Sequence, residues 1–239
     1  MATLIAVVGN TGTGKSTSIF PYKDKNIEIK GLNPNETVLI NVSGKPLPTP
    51  NAEASYPLGK LLSQGGRHFK THDPFAIKSL IEAIDNDDKF KGIKNIVVDD
   101  AVYIQLLMFM DKILEKGYDK FSEIGQAAYL PIRAAQGCKR EDLNIIFMYH
   151  FDKDNDGFKR VKTAGKLTDQ YLNIEGMFTF VLYSNSRLDK VAKKVNYWFD
   201  TQNDGYNTAK SPLGCFADYE IPNDMGLVIE TIKNYYKKS

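Results

Sequence analysis

A short apolar run, Leu4 to Val8, stops at Gly9 and passes into Gly9-Asn10-Thr11-Gly12-Thr13-Gly14-Lys15-Ser16. A strand, a glycine-rich turn and a Lys-Ser pair in this order match the pattern G-x-x-x-x-G-K-[ST] in full. Each residue type has a physical reason. Glycines reach positive φ and leave no Cβ between backbone N–H groups and phosphate oxygens. A helix starting near Lys15 aims its free N–H groups and its dipole at the same anion. Lys15 then reaches the β- and γ-phosphates, and the Ser16 hydroxyl ligates Mg²⁺. The cradle is Gly9, Asn10, Thr11, Gly12, Thr13, Gly14, Lys15, Ser16 and Thr17. The expectation is a nucleoside-triphosphate site.

Such a site needs a carboxylate for the metal. Lys94-Asn95-Ile96-Val97-Val98-Asp99-Asp100 is an apolar strand ending in two of them, the form of a Walker B element. Asp99 is placed on Mg²⁺ through water, and Asp100 as the group that orients or deprotonates the attacking water. A further buried strand, Asn144 to Tyr149, exits at His150. In an open parallel sheet the strand exits line the ligand crevice, which sets His150 beside Gly9 and Asp99, able to sense the γ-phosphate.

The rest of the chain fits one α/β domain over residues 1–239. A short helix from Lys15 to about Phe20 is ended by Pro21, and a second strand covers Thr37 to Val42. Ser43 to Gly66, rich in proline and glycine, reads as a surface excursion, and Arg67 to Lys70 as a brief strand. Asp73-Pro74 opens a helix carrying Ile77, Leu80, Ile81 and Ile84 on one stripe. Helices are expected at Val102–Glu115 and Ser122–Gly137, the second interrupted or kinked at Pro131. Strands at Phe178–Tyr183 and Val191–Phe199 are joined across Ser184–Asp189 as a hairpin. Asp224 opens the last helix.

Composition sets bounds on partners and compartment. With 42% hydrophobic and 25% charged residues and a net charge of +2, nucleic acid is neither required nor excluded. Cys138 and Cys215 lie far apart, so neither a disulfide framework nor a zinc site is expected. The phosphate loop occupies the place of a targeting segment, and no apolar run is long enough for a membrane. The expectation is a cytoplasmic protein, in the host cytoplasm if phage-encoded.

Two patterns point elsewhere and fail on detail. Asp152-Lys153-Asp154-Asn155-Asp156-Gly157 matches half of an EF-hand loop, but Thr163 stands where a bidentate Glu is needed. His68 and His72 are spaced four apart, but Pro74 follows and no carboxylate pattern accompanies them. The basic residues Lys153, Lys159, Arg160, Lys162 and Lys166 are either a solvated face or contacts to a nucleic-acid backbone. No Asn-Lys-x-Asp signature for guanine is present.

Taken in order, the pieces resemble the RecA-like P-loop ATPases of bacteriophages, the group related to single-strand annealing and recombination ATPases. The marks are the Gly9–Ser16 loop, Asp99-Asp100, the strand ending at His150, the Gly165-Lys166 pair before Val181-Leu182-Tyr183, and the Ala209-Lys210-Ser211-Pro212 loop. The resemblance implies a mostly parallel central sheet flanked by helices with an antiparallel C-terminal hairpin extension. It also implies ATP and Mg²⁺ as ligands, Lys15, Asp100 and His150 as catalytic groups, and ATP hydrolysis. In this likeness Lys210 is a basic finger reaching a neighbouring subunit's nucleotide in a homo-oligomeric ring or filament. The segment Lys153 to Lys166 is then where single-stranded DNA would bind, in phage recombination or replication. One departure is plain: such enzymes usually end the second strand in a catalytic Glu, and here Asn41-Val42-Ser43 has none. A nucleoside-type P-loop kinase and a nucleotide-binding assembly protein with little turnover are the alternatives.

Overall fold

The computed structural model describes residues 1–23, 27–50, 52–164 and 172–237. Its centre is a sheet whose parallel part comprises β1 (Thr3–Gly9), β4 (Thr37–Asn41), β5 (His68–Lys70), β6 (Asn95–Asp99), β7 (Asn144–Tyr149) and the first half of β10 (Phe180–Asp189). Apart from the short edge strand β5, these strands are nearly continuous apolar runs, as expected where helices cover both faces. Beyond its pairing with β1, β10 turns back antiparallel into β11 (Lys194–Asp200), which pairs with β12 (Glu220–Pro222). The eight strands lie in the order β12-β11-β10-β1-β7-β6-β4-β5. Two small ribbons stand outside the sheet: β2 (Tyr22–Lys23) with β3 (Glu28–Ile29), and β8 (Phe151–Lys153) with β9 (Lys159–Val161).

On one face α2 (Pro74–Asn86), α3 (Val102–Asp111) and α4 (Asp119–Gly137) bury Ile77, Ile81, Ile84, Ile104 and Ile132 against Val38, Ile40, Ile96 and Val98. The other face is covered by the turn after the phosphate loop, α1 (Ala52–Ser55) and α5 (Met225–Lys237), with Ile19, Phe20, Val228 and Ile232 against Ile5, Val7 and Leu182. Strand alternation sends Ala6 and Val8 one way and Ile5 and Val7 the other, so each strand feeds two cores. The caps are those expected from sequence. Asp73 accepts from Phe75 N, and Asp224 accepts from Gly226 N and from Lys30 N and Gly31 N across the ribbon.

Several boundaries differ from those the sequence suggests. α4 runs through Pro131 without a break, and α3 stops at Asp111 rather than Glu115. The hairpin turn falls at 190–193, not Ser184–Asp189, because β10 continues as a two-stranded ribbon whose outer residues carry no apolar period to mark them. After the phosphate loop only one 3₁₀ turn, Thr17–Ile19, forms before Pro21. The Gly165-Lys166 pair lies outside the described residues.

Candidate functional site

The sheet order decides which strand ends meet. β7 lies between the phosphate-loop strand β1 and the Asp99 strand β6, pairing Val8 with Tyr149 and Val98 with Phe147. Gly9, Asp99 and His150 therefore leave the same edge of the parallel sheet, the edge where ligands of such sheets bind. Ser16 Oγ donates to Asp99 Oδ1 at 2.9 Å, so the loop and the carboxylate strand touch. Gly12 and Gly14 take φ of 80° and 91°. A Cβ on Gly9 would sit 2.6 Å from Thr13 Oγ1 and 2.8 Å from the Ser184 carbonyl oxygen, so only glycine fits there. The Lys15 ammonium folds back onto the carbonyls of Gly9 and Asn10, at 2.8 and 2.9 Å. Burial pushes its pKa down to about 8, against the pull of Asp100 and Asp99.

The donor set fits a magnesium nucleotide. A hydroxyl and a buried carboxylate face one another, and a lysine is held on the loop it would leave for phosphate oxygens. Burial, then the charge of Asp100, push the Asp99 carboxyl above the usual carboxylate range; Lys45, Ser16 and Lys15 only partly offset them. The charge of Asp100 adds to the cost of ionising Asp99, a cost that a divalent cation would lower. Ser16 and Asp99 would hold Mg²⁺, which when bound supplies charge to the β- and γ-phosphate oxygens.

Asp100 sits just beyond β6 with φ of 61°, a strained value for a residue with a Cβ. Its Oδ2 accepts from Lys45 Nζ at 2.6 Å and Ser43 Oγ at 2.9 Å. His150 Nε2 lies 3.3 Å from Oδ1 without hydrogen-bond alignment, and its ring stands edge-on to Tyr103. Burial works against ionisation of Asp100, but His150, Lys45 and Ser43 outweigh it and hold the carboxyl well below its usual range. A carboxylate held this low is a weak base while Lys45 stays on it, but it can orient a water at this edge.

Lys45 and Ser43 lie in the proline- and glycine-rich stretch expected to be a surface excursion. Asn41, the last residue of β4, builds the turn that presents them. Its Nδ2 donates to the Lys45 carbonyl at 2.7 Å, and its Oδ1 accepts from Gly44 N at 2.9 Å, with Ser43 Oγ 3.4 Å away. Gly44 takes φ of 70°, and Val42 N is bonded to the Asp99 carbonyl. From the other side, Tyr197 of β11 and Asn223 close on Gly14, whose Cβ would meet them at 3.1 and 2.9 Å. Asn223 donates to Ser184 Oγ, which donates to the Thr13 carbonyl.

The remaining candidates lie farther out. Lys210 is fixed on a β-bridge with Val181, its side chain partly exposed. Lys153, Lys159, Arg160 and Lys162 cluster on and beside the β8–β9 ribbon, whose acidic turn is closed by Asp154 accepting from Asp156 N and Phe158 N. Lys166 lies outside the described residues. A cavity of about 1190 Å³, lined by Thr3, Lys94, Asn95 and Asn144, opens at the opposite ends of the strands, away from this chemistry.

The β-sheet is mostly parallel, with helices on both faces and one strand between the phosphate-loop strand and the paired carboxylates. This arrangement matches the RecA-like fold expected from the sequence. Among solved structures, a KaiC-like protein from the hyperthermophilic archaeon Pyrococcus horikoshii OT3 is similar at 14% identity and a TM-score of 0.43, over 83% of this chain and 77% of that one. No family model and no curated protein sequence matches the chain. Among the described residues no helix is long and apolar enough to cross a membrane.

Proposed function

We propose that the chain binds ATP with Mg²⁺ on Gly9–Thr17 and Asp99, hydrolyses it, and works with single-stranded DNA as a homo-oligomer. The observation that supports the nucleotide reading is the 2.9 Å contact between Ser16 and Asp99, which brings the Gly9–Ser16 loop and the Asp99 strand end together. Lys15 holds the β- and γ-phosphates, Asp100 receives the proton of the attacking water, and His150 couples the γ-phosphate to the basic ribbon. The coupling is through the main chain: β8 begins at the residue after His150, and Lys162 N donates to the His150 carbonyl at 2.8 Å.

On that ribbon the cations lie over rings, Lys159 Nζ at 5.5 Å from the Phe151 centroid and Arg160 Cζ at 5.3 Å from that of Phe158. Basic groups interleaved with aromatic faces suit a single strand, whose bases stack and whose phosphates are neutralised. The resemblance to phage RecA-like ATPases gives the setting, recombination or replication. The test is ATP binding and turnover with and without single-stranded DNA across a salt series. Turnover should rise with DNA at low salt, and the rise should fade as salt increases. Absence of ATP binding removes the whole reading; binding with no stimulation at low salt removes the DNA partner.

A further inference from the structure

We propose that Lys45 is a second phosphate lysine, moving from Asp100 onto the γ-phosphate when a triphosphate binds and so telling it from a diphosphate. The proposal rests on the nucleotide reading above and deepens it.

Three observations carry it. First, Lys45 lies inside the charge cluster of the site: Nζ is 2.6 Å from Asp100 Oδ2, it feels Asp99, and Lys15 feels it in turn. The γ-phosphate of a nucleotide on the loop would lie where Lys15, Ser16 and Asp99 converge, beside Asp100. Second, the lysine can move. Asp100 is 3% exposed while the Lys45 side chain is 45% exposed, so the carboxylate is fixed and the ammonium is on a flexible stem at the crevice wall. Third, the turn is built for the purpose. The buried Asn41 amide holds the Lys45 main chain, Gly44 makes the bend, and Val42 is tied to the Asp99 carbonyl. This is the strand end where the resemblance implies a catalytic Glu, and a cation stands there instead.

The exchange alters Asp100 as well. While Lys45 sits on Oδ2, that oxygen is neutralised and a poor base. A triphosphate draws the ammonium away, leaving Ser43 and His150 as its neighbours and the oxygen open to water. A diphosphate does not reach far enough to do this. The same lysine would then both sense the γ-phosphate and stabilise charge on it in the transition state.

Binding of ADP and of a non-hydrolysable ATP analogue, each with Mg²⁺, tests this without turnover. In Lys45→Ala the analogue should bind roughly 10- to 100-fold more weakly while ADP affinity changes less than about threefold, the loss of one charge-assisted contact. Lys45→Arg should restore most of the discrimination. Equal weakening of both nucleotides, or of neither, overturns the proposal, since a merely structural partner of Asp100 would not separate them. Wild-type protein that binds neither nucleotide instead defeats the underlying reading. Where Lys45→Ala does not fold, Lys45→Gln, which keeps a hydrogen bond to Asp100 and lacks the charge, must show the same split.

Discussion

Ser16 Oγ donates a 2.9 Å hydrogen bond to Asp99 Oδ1 across 83 residues of chain, with Asp99 2% exposed. The pair forms because β6 is carried to the same sheet edge as the phosphate loop, and it leaves a negative charge with too little compensation. Burial, then Asp100, raise the Asp99 pKa, so the ionised form costs folding stability that a divalent cation would return. Asp99→Asn should therefore raise the melting temperature of the ligand-free protein, by roughly 2–4 °C. It should also erase the extra stabilisation that Mg²⁺ adds to ATP in thermal melts. A Mg²⁺ increment that survives in Asp99→Asn would remove this residue from the metal site.

Gly9 is constrained from two sides. A Cβ there would lie 2.8 Å from the Ser184 carbonyl oxygen and 2.9 Å from Ser184 Cβ, on a strand whose backbone the ladder with β1 holds in place. The loop must give way instead. Gly9→Ala should cost about 1–3 kcal/mol of stability and weaken nucleotide binding by more than tenfold, read by denaturant unfolding and calorimetry on the same preparation. Full affinity in Gly9→Ala would show that the loop shape is not what binds.

Lys15 gives two pH effects of opposite sign. Its pKa is held at about 8 against the usual 10.5, chiefly by burial. Between these values the unfolded chain binds more protons than the folded one, so this group makes the ligand-free protein more stable as pH rises through that window. Nucleotide affinity runs the other way. Phosphate contact raises the lysine pKa, so binding is at full strength below about pH 8 and weakens above it, by up to about tenfold per pH unit. Calorimetry at pH 9 in two buffers of different ionisation enthalpy should show proton uptake on binding. Lys15→Ala should abolish nucleotide binding altogether; unchanged affinity in that variant removes the site.

How legible each part is from the sequence depends on how local its signal is. The Gly9–Ser16 loop, the Asp99 strand and the His150 exit are each written in adjacent residues, and the parallel sheet arises from apolar runs alternating with helical stripes. Lys45 is not legible because its partner Asp100 lies 55 residues on. A lone lysine among prolines has no period to mark it. The same holds for Tyr197 and Asn223, which meet Gly14 only through the antiparallel extension. The one signal that points to Lys45 is the missing Glu after Asn41: a carboxylate site without its acid invites a search for what replaces it.

Arg140 tests whether the two ends of the sheet are energetically separate. Its guanidinium donates to the carbonyls of Ile84, Phe90, Lys91 and Ile93 and to Asp142, and holds the Asp142 carboxyl well below its usual range. It thus closes the end of α2 onto the start of β6. Arg140→Ala strands several carbonyls and should cost about 2–3 kcal/mol. Arg140→Lys should recover less than half, because one ammonium cannot reach the same set. Nucleotide affinity below the melting range should not change. A loss of affinity there would mean that β6 transmits strain from this end to Asp99.

Lys210 offers the sharpest test of assembly. Two main-chain bonds, Lys210 N to the Val181 carbonyl at 2.9 Å and Val181 N to the Lys210 carbonyl at 2.8 Å, fix its backbone beside β10 while the side chain stays partly exposed. A cation held on a stiff support at the sheet flank suits a contact made in trans, where little freedom is lost on docking. If Lys210 completes a neighbour's site, Lys210→Ala and Lys15→Ala proteins are each inactive alone. An equal mixture then forms interfaces in which an intact loop meets an intact Lys210 in about a quarter of cases, and about a quarter of the wild-type ATPase rate should return. The mixture must be shown to co-assemble by sedimentation. Co-assembly with no recovered turnover would take Lys210 out of the hydrolysis step, and full activity of Lys210→Ala alone would do the same.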